Sequence, residues 1–349
     1  MKPSRLALVA LIVSGVVAAF AYAGGWLAPS ALTPARLIDA FEAANGKHPG
    51  FRRNHSKGVG ISGYFEGNGR GVALSKASVF RAERVPVVGR FALAGGMPLA
   101  ADAAGTVRSM ALSFELAGGE QWRTGMNDIP VFPVSTPQAF YDQLLAGTPD
   151  PATGKPDPAR MPAFLAKYPS SARALPLLKN RPKTPSFASD SYHSLNAFRF
   201  TNAGGETVFV RWSMVPVEPA SAAPAPVPAP GSANYLFDDL IAAVRSKPAR
   251  WRLLVVVAQP GDPTDDATLP WPADRPAIDV GTLTIEHVES EATHPARDLN
   301  FDPLILPDGI AASDDPLLSA RSAAYSESFT RREGEHKDPS AVSAAETGK

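Results

Sequence analysis

The chain of 349 residues contains no cysteine, and this absence removes several classes of chemistry at once. Without thiol groups a protein cannot form disulfides, iron–sulfur clusters, thiolate nucleophiles or cysteine-ligated zinc sites. A metal ion in this protein must therefore be bound by His, Tyr or carboxylate side chains, or within a prosthetic group.

Net charge is also lacking, because 34 Lys and Arg residues balance 34 Asp and Glu residues. This balance argues against a basic nucleic-acid-binding surface and against an acidic disordered chain. Apolar residues make up 44% of the chain, which is enough for a large core, while 35 Pro and 28 Gly indicate many turns rather than a helical bundle. We expect a globular protein without a nucleic-acid partner.

The N-terminus has the pattern of an export signal. Lys2 and Arg5 precede an uncharged run over residues 6–23, which closes with the small-x-small tripeptide Ala-Tyr-Ala. We expect a signal peptide over residues 1–23 and an exported, periplasmic protein. The apolar run is close to the shortest length that crosses a bilayer, so the alternative is an uncleaved segment 6–23 that anchors the protein to the inner membrane.

Proline-led caps followed by helical spacing predict the helices. Thr33-Pro34 opens one helix that ends at Asn45-Gly46, and Thr136-Pro137 opens a second that ends at Gly147. Further helical segments are predicted at 161–168 and 234–245.

Short alternating runs between Gly-rich breaks predict an antiparallel sheet. Residues 215–233 consist almost entirely of Pro, Ala, Val and Ser, which predicts an extended surface segment. The polar residues 333–349 are expected to form a disordered tail. The order of elements predicts an α+β fold with a strand-rich core. The clearest strand patterns lie at 60–65, 107–114, 197–201, 207–214, 251–257 and 278–288.

Three segments carry candidate chemistry. His55 lies in a basic loop before a strand, and a neutral imidazole can take up and return a proton near pH 7. Asn127 precedes a Pro-containing turn, while Arg321 and Tyr325 are four residues apart and therefore share one helix face. Each segment taken alone also has an ordinary structural interpretation.

Together, in this order, the three segments resemble the haem-dependent catalases, and more closely the short, exported catalase-related peroxidases. The resemblance covers roughly residues 31–332. It implies a catalase-like antiparallel β-barrel with surrounding helices and a late helix that binds haem b. The matching motifs are Arg52-Arg53-Asn54-His55-Ser56-Lys57-Gly58, Asn127 ahead of Pro130-Val131-Phe132, and Phe301-Asp302-Pro303 followed by Pro307-Asp308-Gly309-Ile310 and by Arg321 with Tyr325.

The resemblance also implies a role for single residues. His55 would be the acid/base on the peroxide side of the haem, Asn127 would orient the peroxide, and Tyr325 would be the axial iron ligand. Arg321 would accompany Tyr325 on its helix face. The remaining cofactor-binding positions are Arg52, Arg90 and Arg332 for the haem propionates, and Phe132 and Phe140 for packing beside the porphyrin.

Two positions depart from the family pattern. Catalases usually carry a Ser shortly after the arginine that matches Arg90, whereas this chain has Ala92, which implies that a polar contact to His55 is absent. Asn54 replaces the Val that commonly precedes the histidine. Both changes predict a channel of different polarity or shape, and weak catalase activity at best.

The resemblance therefore predicts a haem peroxidase that reduces organic hydroperoxides or hydrogen peroxide with a small organic electron donor. The alternative is a haem-binding or haem-storage protein without significant turnover, although such a protein would need neither His55 nor Asn127. A haem isomerase acting on fatty hydroperoxides is a further hypothesis on the same fold. A barrel that binds an apolar ligand without haem would leave the Arg321 and Tyr325 pair as a coincidence.

Overall fold

The computed structural model describes residues 3–23, 31–218, 232–343 and 347. Within these residues, ten strands form one antiparallel sheet and seven α-helices surround or precede it. The helices are α1 (Pro3–Ala23), α2 (Pro34–Asn45), α3 (Pro137–Gly147), α4 (Arg160–Lys167), α5 (Pro169–Lys179), α6 (Tyr235–Ser246) and α7 (Pro316–Glu333). The strands are β1 (Gly58–Gly67), β2 (Arg84–Leu93), β3 (Arg108–Glu115), β4 (Gln121–Asn127), β5 (Tyr192–His193), β6 (Phe198–Thr201), β7 (Thr207–Pro216), β8 (Ala249–Val257), β9 (Ala277–Ser290) and β10 (Ile310–Ala312).

The sheet closes into a barrel of eight strands. Its order runs from β1 through β2, β3, β4, β5, β7, β8 and β9 back to β1, because β7 also pairs with β8. β6 pairs with β7 beyond the short β5, and β10 extends the sheet from β6. The predicted α+β class with an antiparallel β-barrel core is confirmed.

Aromatic rings fill the barrel interior. The alternation of strand side chains sends every second residue inward, and Phe114, Trp122 and Trp212 are among the largest fully buried side chains. Phe114 stacks on Trp122 with ring centroids 4.8 Å apart, and Trp122 meets Trp212 edge-on at 5.1 Å. The interior is thus a packed core, and the other face of each strand is left to contact helices.

The helices α2, α3 and α7 pack together outside the barrel, and α7 contacts β4 through the hydrogen bond from Arg321 to the Gly125 carbonyl. Each begins at a proline that follows a capping side chain, which accepts a hydrogen bond from a backbone N–H that has no partner within the helix. The caps are Thr33, Thr136 and Asp315. The predicted helices at Thr33-Pro34 and Thr136-Pro137 are confirmed.

Two sequence expectations need correction. Helical turns were expected only at 161–168, yet α5 follows α4 directly, because Pro169 is compatible with a first helical turn. Residues 334–343, expected to belong to a disordered tail, contact the rest of the protein. Glu335 forms an ion pair with Arg53, and Val342 is fully buried in the main core. These two anchors stabilise an otherwise polar segment.

The terminal and proline-rich predictions are tested only in part. The structure forms α1 over most of the predicted signal segment, and within the described residues no helix is both long and apolar enough to cross a membrane. Export and cleavage remain predictions. Most of the predicted extended segment 215–233 lies outside the described residues.

Phe114→Ala tests whether the barrel interior is a packed core. We expect the free energy of unfolding to fall by about 3–5 kcal/mol, because the truncated ring leaves a cavity between neighbours that cannot close over it. Urea denaturation measures the change. The matched control is Leu99→Ala at a side chain that is 73% exposed, where we expect a change within about 0.5 kcal/mol. Equal effects at the two positions would contradict the packed interior.

Candidate active site

One large cavity lies between the outer face of β2–β4, with the loop before β1, and the helices α2, α3 and α7. About 1150 Å³ of space in it is free of protein atoms, its open mouth included. All nine site residues predicted from the sequence line this cavity. They are Arg52, His55, Arg90, Asn127, Phe132, Phe140, Arg321, Tyr325 and Arg332.

Two small residues face the cavity at the centre of the strand pair β3 and β4. On β3 and β4, Ala111 and Gly125 are directly opposite each other and line the cavity, while the inward-facing residues alternate with them. A Cβ atom at Gly125 would lie 3.4 Å from the Tyr325 hydroxyl and 3.7 Å from Nη2 of Arg321. A larger side chain at position 125 would therefore crowd both of these groups.

The backbone holds His55 in an uncommon conformation. Its φ of +53° lies in the left-handed region, which non-glycine residues adopt rarely and often at functional sites. The His55 N–H donates to Oδ1 of Asn54 at 2.9 Å, and the same oxygen accepts from Gly95 N–H at 2.9 Å. Arg90 Nη1 donates to the His55 carbonyl at 2.9 Å. Asn54 thus stabilises the loop that carries the histidine.

His55 is neutral over the whole physiological pH range. Burial, together with the positive charges of Arg90, Arg321 and Arg52, lowers the pKa of its imidazole to about 3. A neutral ring has one nitrogen free to accept a proton. His55 can therefore act as a proton acceptor inside the cavity.

The polar contact to His55 that Ala92 was expected to remove is present, so this prediction was wrong. Oγ of Ser109 lies 3.1 Å from Nδ1 of His55. Ser109 on β3 is directly opposite Ala92 on β2, and directly opposite residues project to the same face with Cβ atoms about 4.5–5.5 Å apart. The neighbouring strand supplies the hydroxyl that position 92 lacks.

Asn127 carries an unsatisfied atom at the end of β4. Its Oδ1 is buried and has no hydrogen-bond partner among the described residues. Buried polar atoms in native proteins nearly always have a partner, which can be a water or a ligand. The amide is therefore placed to interact with something bound in the cavity.

Arg321 and Tyr325 lie on α7, and a hydrogen-bonded chain fixes the guanidinium. Arg321 donates through Nη1 to Oδ1 of Asn196 and through Nη2 to the Gly125 carbonyl at 3.3 Å. Asn196 Nδ2 in turn donates to Asp315 Oδ2 at 2.7 Å. Sequence reasoning missed Asn196 and Asp315, although the Asp-Pro pair at 315–316 is a typical helix start.

The three arginines predicted to bind propionates surround one buried carboxylate. Arg90 donates from Nε and Nη2 to both oxygens of Glu291 at 2.7 and 3.0 Å, and Arg52 Nη1 donates to the same carboxylate at 3.2 Å. Arg332 Nη1 donates to the Arg297 carbonyl at 2.7 Å. We call Arg52, Arg90, Arg332 and Glu291 the arginine cluster. Three positive charges and one negative charge leave it with a net charge of +2.

Burial and charge act in opposite directions on the pKa of Glu291. Burial alone would raise it, but the guanidinium groups of Arg90 and Arg52 lower it to about 2. For Arg332, burial and the neighbouring charge of Arg90 lower the pKa to about 10. Sequence reasoning missed Glu291, because nothing local to β9 indicates that its end reaches the two arginines.

Aromatic and aliphatic side chains form the helix side of the cavity. Phe132 and Phe140 lie with ring centroids 5.8 Å apart, and Phe140 also contacts Phe41 of α2 at 5.6 Å. Leu37 and Ile38 of α2 line the same wall. The cavity therefore has an apolar side and, at the arginine cluster, a positively charged end.

Comparison with known proteins shows the family. The model of the catalase family matches residues 23–345. The chain belongs to the catalase family. It is 37% identical to a catalase-related peroxidase of Synechococcus elongatus over 324 residues, which cover 93% of this chain and 95% of that one. It is 35% identical to a catalase-related peroxidase of Mycolicibacterium paratuberculosis over 304 residues, which cover 87% of this chain and 96% of that one.

The fold agrees with this assignment. A solved bacterial catalase superimposes with a TM-score of 0.72 at 22% sequence identity, covering 82% of this chain and 58% of that one. A fungal catalase superimposes with a TM-score of 0.73 at 20% identity, covering 90% of this chain and 66% of that one. The predicted catalase-like fold and the predicted class, an enzyme of the catalase family related to the catalase-related peroxidases, are confirmed.

Membership in this family implies a haem group, and the residues of the cavity fit one. The small residues Ala111 and Gly125 leave room beside the barrel for a planar ligand, and the phenol of Tyr325 has the chemistry of an iron ligand. The net charge of +2 in the arginine cluster suits a ligand that carries two carboxylates. The unpartnered Oδ1 of Asn127 is consistent with a further bound molecule.

Glu291→Gln tests the electrostatics of the arginine cluster in the haem-free protein. Because the folded-state pKa of Glu291, about 2, lies below its ordinary value of 4.5, its charge stabilises the fold fully above about pH 4.5 and progressively less as the pH falls towards 2. We expect the variant to lose about 3 kcal/mol at pH 7. Urea denaturation at several pH values measures the difference, which should narrow below pH 4.5.

The matched control is Glu66→Gln, which breaks an exposed ion pair with Arg84. Exposed pairs contribute about 0–1 kcal/mol, so the control should remain close to the unmodified protein. A loss at Glu291 that does not depend on pH would contradict the assigned charge state.

Proposed function

We propose that this protein is a haem b peroxidase that reduces hydrogen peroxide or organic hydroperoxides with a small organic electron donor. The observation that carries the proposal is the meeting, in one cavity, of a neutral buried His55, the amide of Asn127 and the phenol of Tyr325. A neutral proton acceptor, a hydrogen-bonding amide and an oxygen ligand for iron are the parts that peroxide cleavage requires.

In this proposal Tyr325 would bind the haem iron, and Arg52, Arg90 and Arg332 would bind the propionates. Bound haem would supply the redox chemistry of peroxide reduction, with a phenolate as an electron-donating ligand. Phe132 and Phe140 would pack beside the porphyrin. Arg321 is fixed by Asn196 and Gly125, so that its positive charge stays close to the phenol oxygen.

The protein's own residues move the proton. Nε2 of His55 takes the proton from one peroxide oxygen, because Nδ1 faces Ser109. The imidazolium then returns the proton to the other peroxide oxygen, which becomes a better leaving group. The amide of Asn127 holds the peroxide by hydrogen bonding during this transfer. The low pKa of His55 favours rapid return of the proton.

The relatives support peroxidase activity, and we propose that catalase activity is weak at best. The chain aligns with nearly the full length of two catalase-related peroxidases, but with only 57% of a Pseudomonas syringae catalase. The departure at Ala92 no longer supports weak catalase activity, because Ser109 restores the contact to His55. We further propose export to the periplasm, on the sequence pattern of residues 1–23.

Spectroscopy of the haem-reconstituted full chain tests these roles. We expect Tyr325→Phe to lose stable haem binding, because the iron loses its oxygen ligand. We expect His55→Ala to keep the haem absorbance but to cleave an organic hydroperoxide about 100-fold more slowly or worse, because it lacks the acid/base. Visible absorbance before and after one equivalent of hydroperoxide, then an oxidisable dye, measures both.

The matched controls are Tyr168→Phe and His287→Ala, which lie outside the cavity. Both should retain haem and turnover. If the haem absorbance of the unmodified protein does not change when peroxide is added, the alternative of a haem-storage protein would be favoured. Full haem binding by Tyr325→Phe would contradict the proposed role of Tyr325 as the iron ligand.

The pH dependence of peroxide cleavage gives a separate test. With a pKa of about 3, His55 stays neutral as the pH falls from 8 to 5, so we expect the cleavage rate to stay within about threefold over this range. An ordinary histidine with a pKa near 6.5 would lose about 97% of its neutral form at pH 5. Stopped-flow absorbance measures the profile, and an acid limb near pH 6.5 would contradict the neutral cavity histidine.

A further inference from the structure

We propose that Ser109 is a positioning residue that fixes the tautomer of His55, with the proton on Nδ1 and Nε2 free to accept. The inference rests on the proposed function for its catalytic consequence. It places on β3 the hydroxyl contact to His55 that the family pattern would place on β2, at the position of Ala92.

The hydrogen-bond partners of Ser109 determine the direction of its hydroxyl proton. Oγ lies 3.1 Å from Nδ1 of His55 and 3.4 Å from the carbonyl oxygen of Ala92. A carbonyl oxygen can only accept a hydrogen bond, so it offers the hydroxyl proton an acceptor other than Nδ1, and we infer that the hydroxyl donates to it. A lone pair of Oγ then faces His55 and accepts from Nδ1–H.

This arrangement determines which ring nitrogen is free. A neutral imidazole carries one N–H, and burial together with nearby arginines keeps His55 neutral. If Nδ1 holds the proton, Nε2 must be unprotonated. A hydroxyl that instead donated to Nδ1 would place the proton on Nε2 and remove the acceptor that peroxide cleavage needs.

The sheet register explains why β3 can take over this task. Ala92 on β2, Ser109 on β3 and Asn127 on β4 are directly opposite one another in turn. Adjacent strands are about 4.8 Å apart, so these three side chains form one short row across the outer face of the barrel. The same row therefore carries both the residue that orients His55 and the amide proposed to orient the peroxide.

The register also provides a rescue variant. Ser109→Ala removes one oxygen and keeps Cβ, while Ala92→Ser in the same chain returns a hydroxyl to the same face from the opposite residue. We expect Ser109→Ala to lower kcat for peroxide cleavage by about tenfold to a hundredfold with little change in KM or haem content. The double variant should recover to within about threefold of the unmodified protein.

The matched control is Ser113→Ala. Ser113 is also a buried serine of β3, but it donates to Glu115 at 2.7 Å and does not line the cavity. We expect its kcat to stay unchanged. A loss of activity in this control equal to that in Ser109→Ala would indicate a general effect of β3 substitution and would overturn the proposal.

Imidazole ¹⁵N NMR gives a readout that does not depend on turnover. The full chain, labelled at its six histidines and reconstituted with diamagnetic zinc protoporphyrin, should show His55 with a protonated Nδ1, assigned by its loss in His55→Ala. We expect Ser109→Ala to shift this signal towards the other tautomer and the double variant to restore it. An Nε2–H tautomer in the unmodified protein, or no shift in Ser109→Ala, would overturn the proposal.

The outcomes separate this inference from the proposed function. Haem binding without peroxide cleavage in the unmodified protein would refute the peroxidase, while the NMR signal would still decide the role of Ser109. A fall in kcat with an unchanged tautomer and no rescue by Ala92→Ser would show that Ser109 only stabilises the fold. That result would overturn the positioning role and leave the peroxidase intact.

Discussion

The aromatic packing inside the barrel is the constraint on which the rest of the structure depends. Phe114, Trp122 and Trp212 occupy the interior together with the other inward-facing residues, so a large ligand has to bind on the outside of the barrel. Because strand side chains alternate, the residues between these core positions form a second, separate surface. Small residues such as Ala111 and Gly125 on that surface line the cavity and leave room in it for a ligand.

The arginine cluster couples the cavity to the stability of the fold. Buried charges are costly unless they are paired. Within the arginine cluster, Glu291 pairs with both Arg52 and Arg90, but its single negative charge faces three positive charges. A ligand with two carboxylates would balance the remaining charge and would stabilise the folded state that binds it. The unbalanced charge is therefore explained more simply by ligand binding than by structural support alone.

The helix starts could be predicted because each depends on only a few consecutive residues. The caps at Thr33 and Thr136 are complete within a few residues, so both helix starts could be predicted. The nine site residues were found because their motifs resemble those of a family, and the cavity brings all nine together. Their roles rest on that resemblance and on the chemistry of the cavity.

The remaining features depend on pairing between distant segments. Closure of the barrel requires β9 to reach β1 and β8 to reach β7, which no local pattern specifies. Glu291 meets Arg52 only after this closure, and the chain from Arg321 to Asn196 joins α7 to the loop before β6. The tail residue Val342 is buried by the same kind of long-range contact.

The contact between Ser109 and His55 shows why a missing motif residue is weak evidence for a missing interaction. A sequence motif is read along one strand, whereas a side-chain row in a sheet runs across strands through directly opposite residues. A hydroxyl can therefore move from position 92 to position 109 and still face the same imidazole, although the two positions are far apart in a motif. Functional residues on a sheet are better compared by register than by sequence position, because the register determines which atoms meet.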